Sequence, residues 1–129
     1  MKGDVMGTRA LTFVYDDGKP VVCLYRQYDG YMSGHGRELA EFLGSFSAMT
    51  NGIAAGETRK TANGMGCLAA QMIGHFKTEV GGFYLMATDT KDAGQDYTYH
   101  LYIDRIEVRE CDGAVVFSGS IDEFKIATR

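Results

Sequence analysis

The sequence predicts one α+β domain, an antiparallel sheet of about five strands with two helices packed on it in the order ββααβββ. Three observations predict it. Apolar residues alternate with a period of two across Thr8 to Tyr15, Val21 to Tyr28 and Tyr97 to Val108. Two stretches switch to a helical period, Leu39, Phe42, Leu43 and Phe46, then Met65, Leu68, Ala69, Met72, Ile73 and Phe76. Strands and helices are segregated along the chain, which sets the two helices against one sheet.

Each element has its own signal. Met1 to Met6 has no periodicity and is expected to be a disordered leader of a chain that is otherwise one domain, 1–129. From Thr8 to Tyr15, Leu11, Phe13 and Tyr15 share one strand face and Ala10, Thr12 and Val14 the other. Asp16 to Pro20 is a turn, and Val21 to Tyr28 returns as the second strand of a hairpin. Asp29-Gly30 closes that strand, and Gly34-His35-Gly36 leads into the first helix, whose Arg37, Glu38, Glu41 and Ser45 take the outer side. Ser47 to Gly64 has no apolar period and three glycines, so a long surface loop is expected. The second helix follows, ended by Gly81-Gly82. Phe83 to Thr88 is a strand, Lys91 to Asp96 a polar connection, and Tyr97 to Val108 one long strand. Asp112-Gly113 signals a hairpin into Ala114 to Ser118. Ser120 and Glu123 form a capping box that starts a short C-terminal helical turn.

Composition bounds the function. The chain has 129 residues, 45% hydrophobic and 23% charged, and no apolar run approaches the ~18 residues of a membrane span. No membrane partner is expected. Cys23, Cys67 and Cys111 are odd in number and widely spaced, as in a cytosolic protein with reduced thiols, and each reads as a small buried hydrophobe. The formal charge is −4. Residues 1–60 carry seven Lys/Arg against seven Asp/Glu and residues 61–129 six against ten, which leaves no basic stripe for duplex nucleic acid. Histidines 35, 75 and 100 show no HxH or HExxH spacing and no CxxC occurs, so neither a metal site nor a cofactor is expected.

The candidate site is the turn Asp29 to Arg37. A glycine-rich turn feeding a helix presents unpaired backbone N–H groups at the positive end of a helix dipole, so Ser33, Gly34, His35 and Gly36 before Arg37 read as an anion cradle. Tyr28 and Tyr31, with Asp29 and Gly30 between them, bring rings that suit a ligand with both a base and a phosphate. Asn63 and Gly64, at the start of the second helix, are expected to form the neighbouring wall. Gly52 to Lys60 would be a lid, and some of Arg9, Arg26, Arg59 and Lys60 would supply cationic contacts.

The stretches GTRALTFVYDDGKPVV, YRQYDGYMSGHG, NGMGCLAAQ and GQDYTYHLY resemble a family of small, largely uncharacterised proteins of tailed phages, bacteria and some fungi. Their pattern reads GTR-x-L-T followed by Q-aromatic-DGY-P-x-G-Q/H-G, and the resemblance spans nearly the whole chain from Gly7. Met32 stands where that pattern has proline, which leaves the turn less rigid. The resemblance implies a cytoplasmic, virus-encoded protein with a small-molecule or host-interaction role, and it carries over no catalytic residue. Three functions are therefore expected in order: non-enzymatic capture of a small anionic, nucleotide-like molecule such as a host signalling nucleotide; a hydrolase using Cys67 with His35 or His100, or Asp29 with His35; and a homo-oligomeric structural or partner-binding protein joined at a sheet edge.

Overall fold

The computed structural model describes residues 7–46, 48–50 and 61–129. The expected leader Met1 to Met6 and the whole of the expected lid, Gly52 to Lys60, lie outside them. The class is α+β, with a six-stranded sheet and three helices. In chain order the elements are β1 (Ala10–Asp16), β2 (Lys19–Arg26), a π-helical turn (Met32–Gly36), α1 (Arg37–Gly44), β3 (Ala48–Thr50) and β4 (Thr61–Asn63). There follow α2 (Gly64–Phe76), β5 (Phe83–Met86), β6 (Tyr97–Leu101), β7 (Ile106–Glu110), β8 (Val115–Gly119) and α3 (Ile121–Ala127).

The strand order is β5-β2-β1-β6-β7-β8, and β1 runs parallel to β6, so the sheet is mixed rather than antiparallel. The reason is the connection from β5 to β6. Both strands point the same way, because each neighbours the β1–β2 hairpin on its own side. Residues 87–96 must therefore cross back over the sheet, which a tight hairpin turn cannot do. On the way Ala93 packs against Leu11, Phe13, Cys23 and Tyr25, and the Asp96 N–H donates to the Arg9 carbonyl at 2.8 Å. The expected polar connection thus covers the second sheet face, which no helix reaches among the described residues.

The alternation read in β1 holds. Ala10 and Val14 join the helix-covered core with Leu24, Leu101, Ile106 and Val108, and Leu11 and Phe13 join the smaller cluster beneath the crossover. From the helices, Leu39, Phe42, Leu68, Met72 and Phe76 are buried in the main core, with Leu43 and Phe46 packed at its margin. Burial of such side chains, at roughly 1.5–3 kcal/mol each, is the main force holding helices to sheet.

Four further expectations change. The long strand Tyr97 to Val108 is two strands: Leu101 pairs with Ile106, and the Tyr102 N–H donates to the Arg105 carbonyl at 2.9 Å, which closes a turn at Ile103-Asp104. Ile103 is accordingly exposed. The loop Ser47 to Gly64 contains a short parallel pair, β3 with β4. α2 ends at Phe76 rather than at Gly81-Gly82, which instead adopt left-handed backbone, φ +78° and +77°, and deliver the chain into β5. The C-terminal turn is a full third helix, α3, with both capping-box bonds formed, Glu123 N–H to Ser120 Oγ at 3.1 Å and Ser120 N–H to Glu123 Oε1 at 2.8 Å. Its Phe124 is fully buried, and the helix packs against α1 and β8.

Candidate functional site

The turn after β2 is built from the inside. Helical backbone begins at Met32, five residues before the expected start, so the N–H groups of the glycine stretch are not free. Gly34 N–H donates to the Tyr31 carbonyl at 2.9 Å, His35 N–H to the Asp29 carbonyl at 2.7 Å, and Gly36 N–H to the Tyr31 carbonyl at 3.3 Å. The Arg37 N–H is shared by the carbonyls of Gly34 and Met32. An anion cradle needs unpaired donors. Here those donors close the turn on itself.

The glycines serve the same closure. A Cβ at Gly30 would stand 2.8 Å from the Ala10 Cβ, and one at Gly34 would stand 2.5 Å from the Asp29 carbonyl oxygen. The close approach that glycine permits is of chain to chain. Asp29, at φ +56°, takes the left-handed conformation that short polar side chains tolerate, and its Oδ1 accepts from the Tyr31 hydroxyl at 3.1 Å.

Beneath the turn lies a buried polar network. Arg26, 3% exposed, donates through Nη1 to Glu38 Oε1 at 2.7 Å and to His35 Nδ1 at 3.2 Å, and through Nε to the Tyr28 carbonyl at 2.7 Å. Its guanidinium sits 5.0 Å from the Tyr28 ring centre and 5.1 Å from that of Phe83. Arginine has no acceptor, so His35 Nδ1 must accept and Nε2 must carry the proton. That N–H reaches Thr12 Oγ1 at 2.7 Å. Burial, and secondarily the Arg26 charge, push the His35 pKa down to about 3, so the ring is neutral. The Tyr99 ring stands edge-on to it at 4.8 Å, and the Tyr99 hydroxyl donates to the Gly30 carbonyl at 2.7 Å.

Among the described residues the catalytic pairs expected from the sequence make no hydrogen bond between side chains. Both His35 ring nitrogens are engaged, and His100 bonds Tyr15 at 2.8 Å through Nδ1 and Thr98 at 3.0 Å through Nε2. The Cys67 thiol donates to Gln71 Oε1 at 3.3 Å. Asp29 meets His35 through backbone only. Among the described residues no cluster of three His, Cys, Asp or Glu is placed to hold a metal ion.

Where the candidate residues end up divides them. Arg26, Tyr28 and Asp29 line a cup of about 490 Å³, joined by Glu38, Glu41, His75, Phe76, Thr78 and Phe83. Arg37 lines a different cavity, a groove of about 320 Å³ between α1 and α3, with Ala40, Glu41, Gly44, Lys125, Thr128 and Arg129. Gly30, His35 and Gly36 are buried, while Tyr31 and Ser33 are exposed on the turn. Arg9 is on the opposite sheet face, its Nη1 2.9 Å from where a side chain at Gly94 would begin.

Asn63 and Gly64 do not join the turn. α2 begins where Met65 lines a pocket with Tyr15 to Gly18 and ends where Phe76 meets the His35 ring at 5.3 Å. A helix of this length separates its ends by about 18 Å.

The groove is basic and the cup acidic. Arg37, Lys125 and Arg129 face the groove against Glu41 alone. Among the described residues neither Arg37 nor Arg129 has a side-chain partner, and Lys125 bonds the well-exposed Asp122 at 3.2 Å. In the cup Asp29, Glu38 and Glu41 outnumber Arg26. Glu41 lines both cavities, on either side of α1. Lys125, Arg129, Glu41 and His75 line these cavities and are not among the candidate residues the sequence singles out. The capping box at Ser120 located α3, but nothing in the residue pattern says that α3 lies beside Arg37.

Comparison with protein-family models, with curated proteins and with solved structures finds no match in any of the three.

Proposed function

We propose that this protein binds, without transforming it, a small anionic, nucleotide-like molecule whose phosphate lies in the groove between α1 and α3. The observation that carries this reading is the groove itself. Three cations and one carboxylate line it, on a chain whose formal charge is −4. Like charges brought together in a concave surface repel one another unless an anion joins them, and Arg37 and Arg129 spend no hydrogen bond elsewhere among the described residues. The aromatic-walled cup across α1 gives room for the remainder of such a ligand. Binding rather than turnover is favoured because Cys67, His35 and His100 are engaged in bonds with other partners. Together with the resemblance to phage proteins, sequestration of a host signalling nucleotide in the cytoplasm is the role such a binder would serve.

Calorimetric titration of the full chain with pyrophosphate and with nucleoside mono- and triphosphates tests the reading. Arg37→Ala is expected to weaken binding about ten-fold or more, the size of a lost charged hydrogen bond of about 1.5–3 kcal/mol. Arg109→Ala, on β7 away from the groove, should leave it unchanged. Recovered ligand should be chemically intact. Equal affinity in Arg37→Ala, Lys125→Ala and the wild type would remove the groove as the site.

A further inference from the structure

We infer that the anion taken by the α1–α3 groove is a terminal phosphate carrying two charges, the end of a monoester or of a polyphosphate, and not the singly charged phosphodiester of a cyclic or linked nucleotide. The inference rests on the reading just given, that a phosphate lies in this groove, and adds which kind of phosphate it is.

Charge comes first. Arg37, Lys125 and Arg129 against Glu41 leave two positive charges uncompensated in the lining. Neither neighbouring carboxylate removes them. Arg37 and Glu41 stand four positions apart on α1, a spacing at which helical ion pairs form, yet the ion pairs among the described residues do not include them. Lys125 is paired with Asp122, whose side chain is almost wholly exposed and is not part of the groove lining. Water screens such a pair, so Lys125 gives up little in exchanging Asp122 for a ligand. A phosphodiester brings one negative charge to this lining and leaves one cation unanswered. A phosphate monoester brings about two at neutral pH.

The shape of the group agrees with its charge. A phosphodiester has two oxygens free of carbon and a terminal phosphate has three. Three cationic side chains line the groove from two helices, one for each oxygen.

The walls tell against a second organic arm. An internal phosphodiester is bonded to carbon on two sides, so its site must house an organic group on each. Apart from the charged side chains, the described groove lining is Ala40, Gly44 and Thr128, with no aromatic ring among them. The Thr128 hydroxyl is spent on the Phe124 carbonyl at 2.9 Å. Tyr28, Phe76 and Phe83 line the cup across α1. One arm of a ligand therefore has rings to lie against, and a second arm on the groove side has none.

The test is calorimetry on the full chain with inorganic phosphate, AMP and cyclic AMP at about pH 8, where a monoester whose second pKa is about 6 carries both charges. The two nucleotides share base and sugar and differ in the charge and the free oxygens of the phosphate. At low salt AMP is expected to bind about ten-fold or more tighter than cyclic AMP, and the gap should narrow as salt is added, which a preference set by shape alone would not do. Arg129→Ala, checked for folding by circular dichroism, should weaken AMP more than cyclic AMP. Equal affinity for the two nucleotides, or tighter binding of cyclic AMP, with both weakened by Arg37→Ala, would overturn the terminal-phosphate assignment and leave the groove standing as a phosphate site. A gap that stays constant as salt is added would overturn selection by charge. A preference for AMP that survives undiminished in Arg37→Ala, Lys125→Ala and Arg129→Ala, or no heat with phosphate or either nucleotide, would overturn both proposals together.

Discussion

His35 has neither ring nitrogen free, and this decides how the protein answers to acid. In an unfolded chain a histidine titrates near 6.5; in the fold, burial and Arg26 bring it down to about 3. Between those values the unfolded state binds a proton that the native state does not. Stability is therefore fully present above about pH 6.5 and is lost as the pH falls towards 3, at up to about 1.4 kcal/mol per pH unit. His100, lowered chiefly by burial, adds to the same slope. Urea unfolding at pH 7 and pH 5 should show a lower midpoint at pH 5. His35→Gln, which cannot titrate, should be less stable at pH 7 but lose less between the two. Identical losses in variant and wild type would show that His35 is not held neutral by its surroundings.

At the scale of the element, the π-helical turn Met32–Gly36 is where local sequence and tertiary packing meet. Its glycines differ in what surrounds them. A methyl group at Gly34 collides with the Asp29 carbonyl, whereas at Gly36 it would meet nothing closer than 3.4 Å, the Tyr99 hydroxyl. Gly36 also has ordinary helical backbone, φ −57° and ψ −46°. Gly34→Ala should thus cost roughly 1–3 kcal/mol through overpacking. Gly36→Ala should be neutral or stabilise by up to ~1 kcal/mol, because alanine loses less backbone entropy in a helix. Guanidinium unfolding midpoints of the two variants would separate them, and equal destabilisation would contradict the packing described. A valine at Gly36 would report on the core around Tyr99 and not on close approach of a ligand.

For the whole molecule, the mixed sheet places its cysteines in three environments. Cys23 lies in β2 beneath the crossover 87–96, fully buried, its thiol pushed up to about 11 by that burial. Cys67 is half-buried on α2, and Cys111 is exposed at the β7–β8 turn. The expectation of three buried thiols holds for Cys23 alone. With an aromatic disulfide reagent Cys111 should react first, Cys67 more slowly, and Cys23 only as the protein unfolds in urea. Three equal rates in the native protein would mean that the crossover does not cover the second face.

What the sequence determined by itself is what short-range physics controls. The face assignment of β1, the apolar stripes of α1 and α2, the Asp112-Gly113 hairpin and the Ser120–Glu123 capping box each depend on residues within a few positions of one another, and each is present in the fold. The break at Ile103-Asp104 left a signal that the period-two reading passed over: the buried apolar positions change phase, from Tyr99 and Leu101 in β6 to Ile106 and Val108 in β7. Only tertiary structure decided that β1 runs parallel to β6, since the direction of a strand depends on where a distant connection must land. The same holds for the candidate site. Gly34, His35 and Gly36 were legible as a special turn, but whether their donors face a ligand or the chain is settled by Tyr31, Asp29, Arg26 and Thr12 closing around them. Arg37, Lys125 and Arg129 share a groove because α3, far along the chain, packs beside α1 to bury Phe124, and no spacing between residues 37 and 125 encodes that contact.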